Sequence, residues 1–278
     1  MVLKAALPSI PGVNQLPGVR KDPQADPTTL HLRRSAVVDR EHASAYAAVC
    51  GFPAKDTVPL TYPHLLAFPL HMQAMTSPQF PYPAVGSVHV ENVITGHRPV
   101  RPGEALDVTV QVSAPRPHAK GTVVDFLSEV HSGEELVWES SSTYLRRGVT
   151  TPGEVTTGSI AVGEQPAGTM QWRLPADLGR RYGAVSGDRN PIHLYPLTAK
   201  ALGFPRQIAH GMWSLARCVA ALENRLPDAV TVEVAFKKPI LLPGTVAFGH
   251  RATAEGQAFA LTSPKDGAPH LVGRTRFA

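Results

Sequence analysis

The sequence predicts an α+β fold built from two similar halves, each with one long helix followed by antiparallel strands. The same order of elements occurs twice: a Tyr-x-Ala-Val-x-Gly segment, an apolar helix, an alternating strand and a Pro-Gly turn. Runs of period-two alternation follow each Pro-Gly turn, as expected of half-buried strands. A segment rich in Gly, Thr, Pro and Ala separates the two copies, which is the composition of a linker.

In the first half, the segment 46–51 precedes an apolar helix predicted over His64–Met75. An alternating strand over Val88–Val93 comes next. A second strand, over Leu106–Val112, follows the Pro-Gly turn that ends at Gly103.

In the second half, the segment 182–187 precedes an apolar helix predicted over Gly211–Leu222. Strands are predicted over Val230–Val234 and, after the second Pro-Gly turn, over Val246–His250. Apolar residues surround most of the helix, so we expect a curved sheet to enclose it, because the apolar face of a sheet must be buried. These residues are Met212, Trp213, Leu215, Ala216, Val219, Ala220 and Leu222.

Segments rich in proline and glycine set the predicted domain boundaries. The N-terminal residues hold several prolines and are predicted to form an irregular arm over 1–25. An N-terminal domain is predicted over 26–150, a linker over 151–168 and a C-terminal domain over 169–278.

The composition describes a chain that can bury a core. Hydrophobic residues make up 43% of the 278 residues and charged residues 18%, which excludes intrinsic disorder by composition. Cys50 and Cys218 are far apart and match no metal or redox spacing, so they are predicted to be reduced and buried.

Charge and hydropathy indicate which classes of partner and which location to expect. The net charge of +5 suits an anionic small ligand or an acidic partner protein. Basic residues are scattered and no nucleic-acid motif is present, so we expect no nucleic-acid partner. No apolar run approaches the ~18 residues that span a bilayer, and prolines interrupt the N-terminal run, so neither a membrane span nor a secretory signal is expected. These patterns predict a cytoplasmic protein.

A polar loop in the second half is the most informative stretch of the chain. Residues 182–193 read Tyr-Gly-Ala-Val-Ser-Gly-Asp-Arg-Asn-Pro-Ile-His. Gly187 ends the preceding helical pattern, because glycine accepts backbone angles that other residues avoid. Asp188 and Asn190 can hydrogen-bond their own backbone, and Pro191 fixes its own φ. The loop is therefore predicted to be rigid.

This loop carries an acid/base pair. It holds one carboxylate, Asp188, and one imidazole, His193, and the helix that follows begins at Gly211. Such a pair facing a helix N-terminus suits the addition of water to an activated double bond, or its removal. The alternative is a simple Asx-turn with a surface histidine.

The first half keeps the scaffold and lacks this loop. Phe52 stands where the second half has Asp188, and no second Asp-x-Asn-Pro-x-x-His follows. In the same alignment, Leu70 stands where the second half has Gly211. One active site per chain is therefore expected, in the second half.

The loop and the start of the next helix carry a family resemblance. The residues concerned are Tyr182 to His193, Ala199, Gly203-Phe204 and Ile208–Met212. They closely resemble the hydratase motif of MaoC-like proteins and (R)-specific enoyl-CoA hydratases. That family folds as a hot dog, an antiparallel sheet wrapped around one helix. Two halves with one motif look like its double hot-dog members, the first half being a degenerate relative.

The resemblance implies roles for individual residues. Asp188 and His193 match the catalytic pair of the family. Gly211 matches the glycine whose backbone N–H contacts the thioester oxygen. Asn190 matches a residue that supports the loop beside the substrate. His210 is interpreted as either a helix-start residue or a substrate contact.

The family also implies a reaction, a substrate class and partners. Its members are hydro-lyases that hydrate 2-enoyl thioesters or dehydrate (3R)-3-hydroxyacyl thioesters in fatty acid or related acyl metabolism. Coenzyme A or an acyl carrier protein carries the acyl group, and no cofactor or metal is implied. A homodimer of double hot-dog chains is a further expectation. The alternatives are a hot-dog acyl-thioesterase and a non-catalytic acyl-thioester-binding subunit.

Two further substrate contacts are predicted outside the motif. Lys238 and its basic neighbours are expected to meet the phosphates of coenzyme A, the alternative being a solvated basic edge. Leu70, with Leu66 and Met72, is expected to line a tunnel for the acyl tail. The alternative is that the first half only completes a dimer-like interface.

The histidines outside the motif show no metal-ligand spacing and are expected to be surface or strand residues. They include His64, His71, His89, His97, His118 and His131.

Overall fold

The computed structural model of the chain describes residues 21–84, 86–155, 160 and 164–277. Most of the arm predicted over 1–25, and two stretches of the linker predicted over 151–168, lie outside these residues. The described residues divide into two compact units. Unit 1 comprises 21–36, 63–92 and 105–155, and unit 2 comprises 37–62, 93–104, 160 and 164–277.

The elements confirm the predicted α+β class. The helices are α1 (Arg40–Cys50), α2 (Pro63–Thr76), α3 (Leu178–Ser186), α4 (Pro191–Leu194), α5 (Pro196–Ala201) and α6 (Gly211–Leu222). The strands are β1 (His31–Val37), β2 (Ser87–Gly96), β3 (Ala105–Val112), β4 (Arg116–His118), β5 (Gly121–Ser132), β6 (Glu135–Arg147), β7 (Met170–Leu174), β8 (Val230–Phe236), β9 (Gly244–Ala252), β10 (Gly256–Thr262) and β11 (Pro269–Phe277).

Unit 1 holds α2 and strands in the order β1-β3-β5-β6-β2, with β4 paired to β5. The pairs β3–β5 and β5–β6 are antiparallel. His64 and His71 are buried on α2, so their expected place on the surface or in a strand is wrong. Two helical turns separate them, which puts both on one face of the helix. His71 Nε2 lies 2.9 Å from Ser128 Oγ, which satisfies that nitrogen inside the unit.

Unit 2 holds α6, the last residues of β2 (93–96) and, beside them, strands in the order β8-β11-β10-β9-β7. The pairs from β8 to β7 in this order are antiparallel. The bounds predicted for α6 are confirmed, and so is its burial on nearly every side. Leu215, Val219 and Leu222 are fully buried, and each such side chain contributes about 1.5–3 kcal/mol by leaving water.

Helix α1 belongs to unit 2, although it comes from the first half of the sequence. The Trp213 indole N–H donates to Val49 O at 3.1 Å, which joins α6 to α1. His42 Nε2 lies 2.8 Å from Val185 O, and the Tyr46 and Tyr182 rings lie 6.2 Å apart, which joins α1 to α3. The two halves of the sequence and the two compact units are therefore different divisions of the chain.

The internal repeat is visible in how α1 and α3 end. Gly51 closes α1 with φ 76°, and Gly187 closes α3 with φ 74°, both in the left-handed region that favours glycine. The match of Leu70 to Gly211 is wrong, however. Helix α2 begins at Pro63, and Leu70 lies in its middle, because the first connection is shorter than the alignment assumed.

Cys50 and Cys218 are buried and unbridged, as predicted. Burial raises the pKa of the Cys50 thiol to about 12, so this group stays protonated at neutral pH. No helix within the described ranges combines the length and the apolar character needed to cross a bilayer.

Candidate active site

The loop between α3 and α4 is held by its own polar groups. Gly187 N–H donates to Gly183 O at 3.2 Å, which closes α3. Asp188 N–H donates to Ser186 Oγ at 3.2 Å, and Asn190 N–H donates to Asp188 Oδ1 at 3.1 Å. The second of these bonds is an Asx-turn. It fixes the Asp188 carboxylate relative to the backbone that follows.

Asn190 caps the next helix. Its side-chain oxygen accepts from Ile192 N–H at 3.4 Å, and Pro191 occupies the first helical position, where a missing N–H costs nothing. The side chains of Asp188 and Asn190 thus stabilise the turn that leads from α3 into α4. His193 lies in the single turn of α4 that results.

Two glycines on α3 let this loop come close. Gly179 and Gly183 lie four residues apart and share one face of the helix. A β-carbon on Gly179 would overlap the carbonyl oxygen of His193, and one on Gly183 would lie 2.9 Å from the carbonyl oxygen of Asp188. The backbone of both predicted catalytic residues therefore packs directly on α3.

The His193 imidazole is buried, and one of its nitrogens is engaged in a hydrogen bond. Its Nδ1 lies 2.8 Å from Ile208 O. A carbonyl only accepts, so Nδ1 carries the hydrogen, and the lone pair of the neutral ring is on Nε2. Burial lowers the pKa of His193, and the charge of Asp188 works against that shift. The ring is therefore neutral and able to accept a proton near pH 7.

Asp188, His193 and His210 come together at one place. One ligand atom from each, a carboxylate oxygen or a ring nitrogen, lies within 4.8 Å of the others. The Asp188 side chain keeps 29% of its surface exposed, whereas His210 is buried. Polar atoms this close are within the span of one bridging water, which can reach two atoms at about 2.8 Å each.

The N-terminus of α6 completes the arrangement. His210 precedes the helix, Gly211 is its first residue, and no side chain of the N-cap residue binds the first turn. The first N–H groups of a helix have no partner within it and carry partial positive charge. A β-carbon on Gly211 would lie 3.2 Å from the Phe236 ring, so this ring packs against the glycine. The Gly211 N–H belongs to this first turn, and the absence of a side chain at 211 makes room for the Phe236 ring.

The three side chains have the composition of a zinc site, since two imidazoles and a carboxylate are ordinary zinc ligands. Their geometry disfavours one. The His193 and His210 rings stack with centroids 3.7 Å apart at 26°, so their in-plane lone pairs run side by side and do not converge. One nitrogen of each ring is hydrogen-bonded to a backbone carbonyl, an arrangement also found in histidines that bind a metal through the other nitrogen, so it is the stacking that speaks against zinc.

The remaining predicted contacts lie elsewhere on the chain. Leu70 belongs to unit 1, where it is buried on α2. Lys238 is exposed just after β8, and its carbonyl lies 3.1 Å from His270 Nδ1. The residues brought together around the loop are thus Asp188, Asn190, His193, His210 and Gly211.

Sequence reasoning assigned no role to three contributors to this site: Gly179, Gly183 and Ile208. The first two form a Gly-x-x-x-Gly pair one helix before the loop, and small residues at that spacing predict a close backbone approach. Ile208 acts through its backbone carbonyl, for which its side chain gives no sequence signal.

Comparison with known proteins supports the interpretation of this loop as part of a hydratase motif. A family model of the MaoC-like domain matches residues 159–262. The 3-hydroxyacyl-thioester dehydratase X of Mycobacterium tuberculosis is 37% identical over 98% of this chain and 94% of its own length. Its crystal structure superposes with a TM-score of 0.79, covering 90% of this chain and 100% of that one. The (R)-specific enoyl-CoA hydratase of Aeromonas caviae is 30% identical over 38% of this chain and 77% of its own.

The match to the Mycobacterium protein spans both units and the whole active-site loop. The predicted hot-dog architecture agrees with these structural neighbours. The chain therefore belongs to the MaoC-like dehydratase family.

Proposed function

We propose that this protein is a hydro-lyase that reversibly hydrates 2-enoyl thioesters and dehydrates (3R)-3-hydroxyacyl thioesters in acyl metabolism. The observation that carries this is the Asp188–His193 pair held at the N-terminus of α6. The named relatives, a 3-hydroxyacyl-thioester dehydratase and an (R)-specific enoyl-CoA hydratase, support it.

His193 is the base in this proposal. In hydration, its Nε2 takes a proton from water while the water oxygen bonds to C3 of the substrate. The resulting imidazolium gives that proton to C2, so one water is added and the ring returns to neutral. In dehydration, the same nitrogen removes the C2 proton and delivers it to the departing hydroxyl. The hydrogen bond from Nδ1 to Ile208 O supports this role, because it leaves the lone pair on Nε2.

Asp188 orients the water and stabilises the imidazolium. Its Oδ1 accepts from Asn190 N–H, and in this proposal its Oδ2 accepts from the water. Its charge favours the protonated form of His193, as the opposing effects on the pKa of that histidine indicate. Asp188 therefore acts as an ionised partner of the base.

Gly211 stabilises the enolate. Negative charge develops on the thioester oxygen as C3 is attacked, and the Gly211 N–H lies at the positive end of α6. Loss of one such donor typically lowers the rate by about 10²–10³.

The test is turnover of an enoyl thioester, followed by the loss of its conjugated absorbance. Asp188→Asn and His193→Ala should each abolish hydration while leaving the melting temperature within a few degrees of wild type. Near wild-type turnover in either variant would show that the assignment is wrong. Release of free thiol from acyl-CoA, without hydration, would establish the thioesterase alternative.

Carrier, partners and location are part of the same proposal. Coenzyme A carries the acyl group, with Lys238 meeting its phosphates, and no cofactor is required. The protein acts in the cytoplasm as a homodimer, and an acyl carrier protein is the alternative carrier. Kinetics on both carriers with a Lys238→Glu variant, and the mass of the particle in solution, test these points.

The contact of Leu70 with the acyl tail also stays a prediction. Activity measured against chain length tests it. A preference for long acyl groups supports the contact, and a preference for four-carbon substrates contradicts it.

A further inference from the structure

His210 is the N-cap residue of α6, but its side chain does not cap the helix. Its carbonyl accepts from Ser214 N–H and from Ser214 Oγ, each at 3.1 Å, which anchors the backbone at the start of α6. The imidazole itself is only 2% exposed. Because the ring does not cap the helix, its contacts must account for its burial.

One face of the ring touches His193. The two imidazoles are stacked, with centroids 3.7 Å apart and an angle of 26° between their planes. The Tyr182 ring on α3 lies 4.8 Å from the His210 ring. The stacked contact restricts how far the His193 ring can turn about its own bonds, and it excludes water from one face of that ring.

The edge of the ring binds the Asp188 loop. His210 Nε2 lies 3.0 Å from Asp188 O, and because that carbonyl only accepts, Nε2 is the donor. The same nitrogen is 3.8 Å from Asp188 Oδ2. A single side chain thus contacts the backbone of one member of the pair and the ring of the other.

We propose that His210 is a positioning residue that holds Asp188 and His193 in their reactive arrangement, through its Nε2–H on the loop and its face on the imidazole. The proposal rests on the hydro-lyase function given above. Geometry of this kind matters to the rate because a displacement of about 1 Å between reacting groups can lower it by about 10².

His210 does not itself exchange protons with the substrate. Burial and the nearby His193 lower its pKa to about 3, so it stays neutral throughout the working range. It therefore leaves the proton to His193, while its neutral Nε2–H stays available to the loop.

Two substitutions separate the two contacts. His210→Phe keeps a ring against His193 and loses the donor to Asp188 O, whereas His210→Gln keeps a donor and loses the ring. We expect each to lower kcat by about 10–10² with KM changed less than about threefold. In His210→Gln alone, the exposed His193 ring should titrate closer to its ordinary pKa, which moves the acid limb of the kcat/KM profile to higher pH.

His42→Gln is the matched control. His42 also lies against a backbone carbonyl of α3, Val185 O at 2.8 Å, and makes no ring contact with His193. This variant should leave the acid limb where it is in wild type. An equal displacement of the limb in His42→Gln and His210→Gln would overturn the proposal, because it would show a general loosening of unit 2.

An NMR titration of the His193 ring gives a readout that needs no substrate. The titration midpoint should rise in His210→Gln and stay near the wild-type value in His210→Phe. A midpoint and a kcat that are unchanged in both variants would overturn the positioning role. Wild-type protein without hydratase activity would overturn the proposed function, and the rise of the midpoint would still establish the contact between the two rings.

Discussion

Gly179 packs directly on the backbone of His193, with no room for a β-carbon between α3 and the carbonyl oxygen of that histidine. The same helix face presents Gly183 to the carbonyl of Asp188, four residues farther along. Helix α3 is thus the surface against which both members of the proposed catalytic pair are set. The close packing of Asp188 and His193 on α3 depends on the absence of side chains at Gly179 and Gly183.

Gly179→Ala should therefore lower both activity and stability. In an unobstructed helix this change stabilises by about 1 kcal/mol, because alanine is the better helix former. Here the new methyl group must push α4 away, so we expect kcat to fall by about 10² and the melting temperature to drop. Gly183→Ala, with a milder approach of 2.9 Å, should have a smaller effect. A higher melting temperature in Gly179→Ala would contradict this packing.

Comparison of two variants tests whether the Gly211 N–H contributes to catalysis. Gly211→Ala keeps the N–H, and Gly211→Pro removes it at the first helical position, where proline is tolerated. Both add a β-carbon against Phe236, so that steric effect is common to the two variants, and the proline variant differs by the ring carbons that take the place of the N–H hydrogen. We expect kcat of the proline variant to be about 10²–10³ below that of the alanine variant, which is the effect of losing one oxyanion donor. Equal kcat values would remove Gly211 N–H from the mechanism.

Folding should weaken in mild acid. Burial lowers the pKa of His71, His193 and His210 below the value of about 6.5 that an unfolded chain has. As pH falls below about 6.5, the unfolded chain binds protons that the folded chain does not, so the free energy of unfolding decreases. The loss is at most about 1.4 kcal/mol per pH unit for each such histidine.

Urea unfolding at pH 7.5, 6 and 5 measures this dependence. His71→Gln should flatten the slope, since it removes one group that charges only on unfolding. Equal unfolding free energies at pH 7.5 and 5 would show that these rings are not held neutral by the fold.

Metal removal should leave turnover unchanged. The proposed steps use an imidazole, a carboxylate and a backbone N–H, and the stacked rings of His193 and His210 do not aim their lone pairs at one point. Activity after dialysis against EDTA should equal that of the untreated protein. A loss that zinc restores would indicate instead that Asp188, His193 and His210 bind a metal ion.

The sequence determined the local features of this protein. The bounds of α6, the glycine that closes α3 and the caps that lead into α4 follow from residues that act on their immediate neighbours. Helix caps and Asx-turns involve groups only a few positions apart, so a pattern in the chain predicts them. The pairing of Asp188 with His193 could be proposed for the same reason.

Only the tertiary structure decided how that pair is held. The lone pair of His193 is on Nε2 because Ile208 O accepts from Nδ1, and His210 reaches Asp188 through a carbonyl rather than a side chain. The position of α1 in unit 2, and of Leu70 in the middle of α2, also differ from what the repeat suggested. Backbone carbonyls are chemically identical at every residue, so no sequence pattern shows which of them a buried ring will meet. That choice is made by packing between segments that lie far apart along the chain.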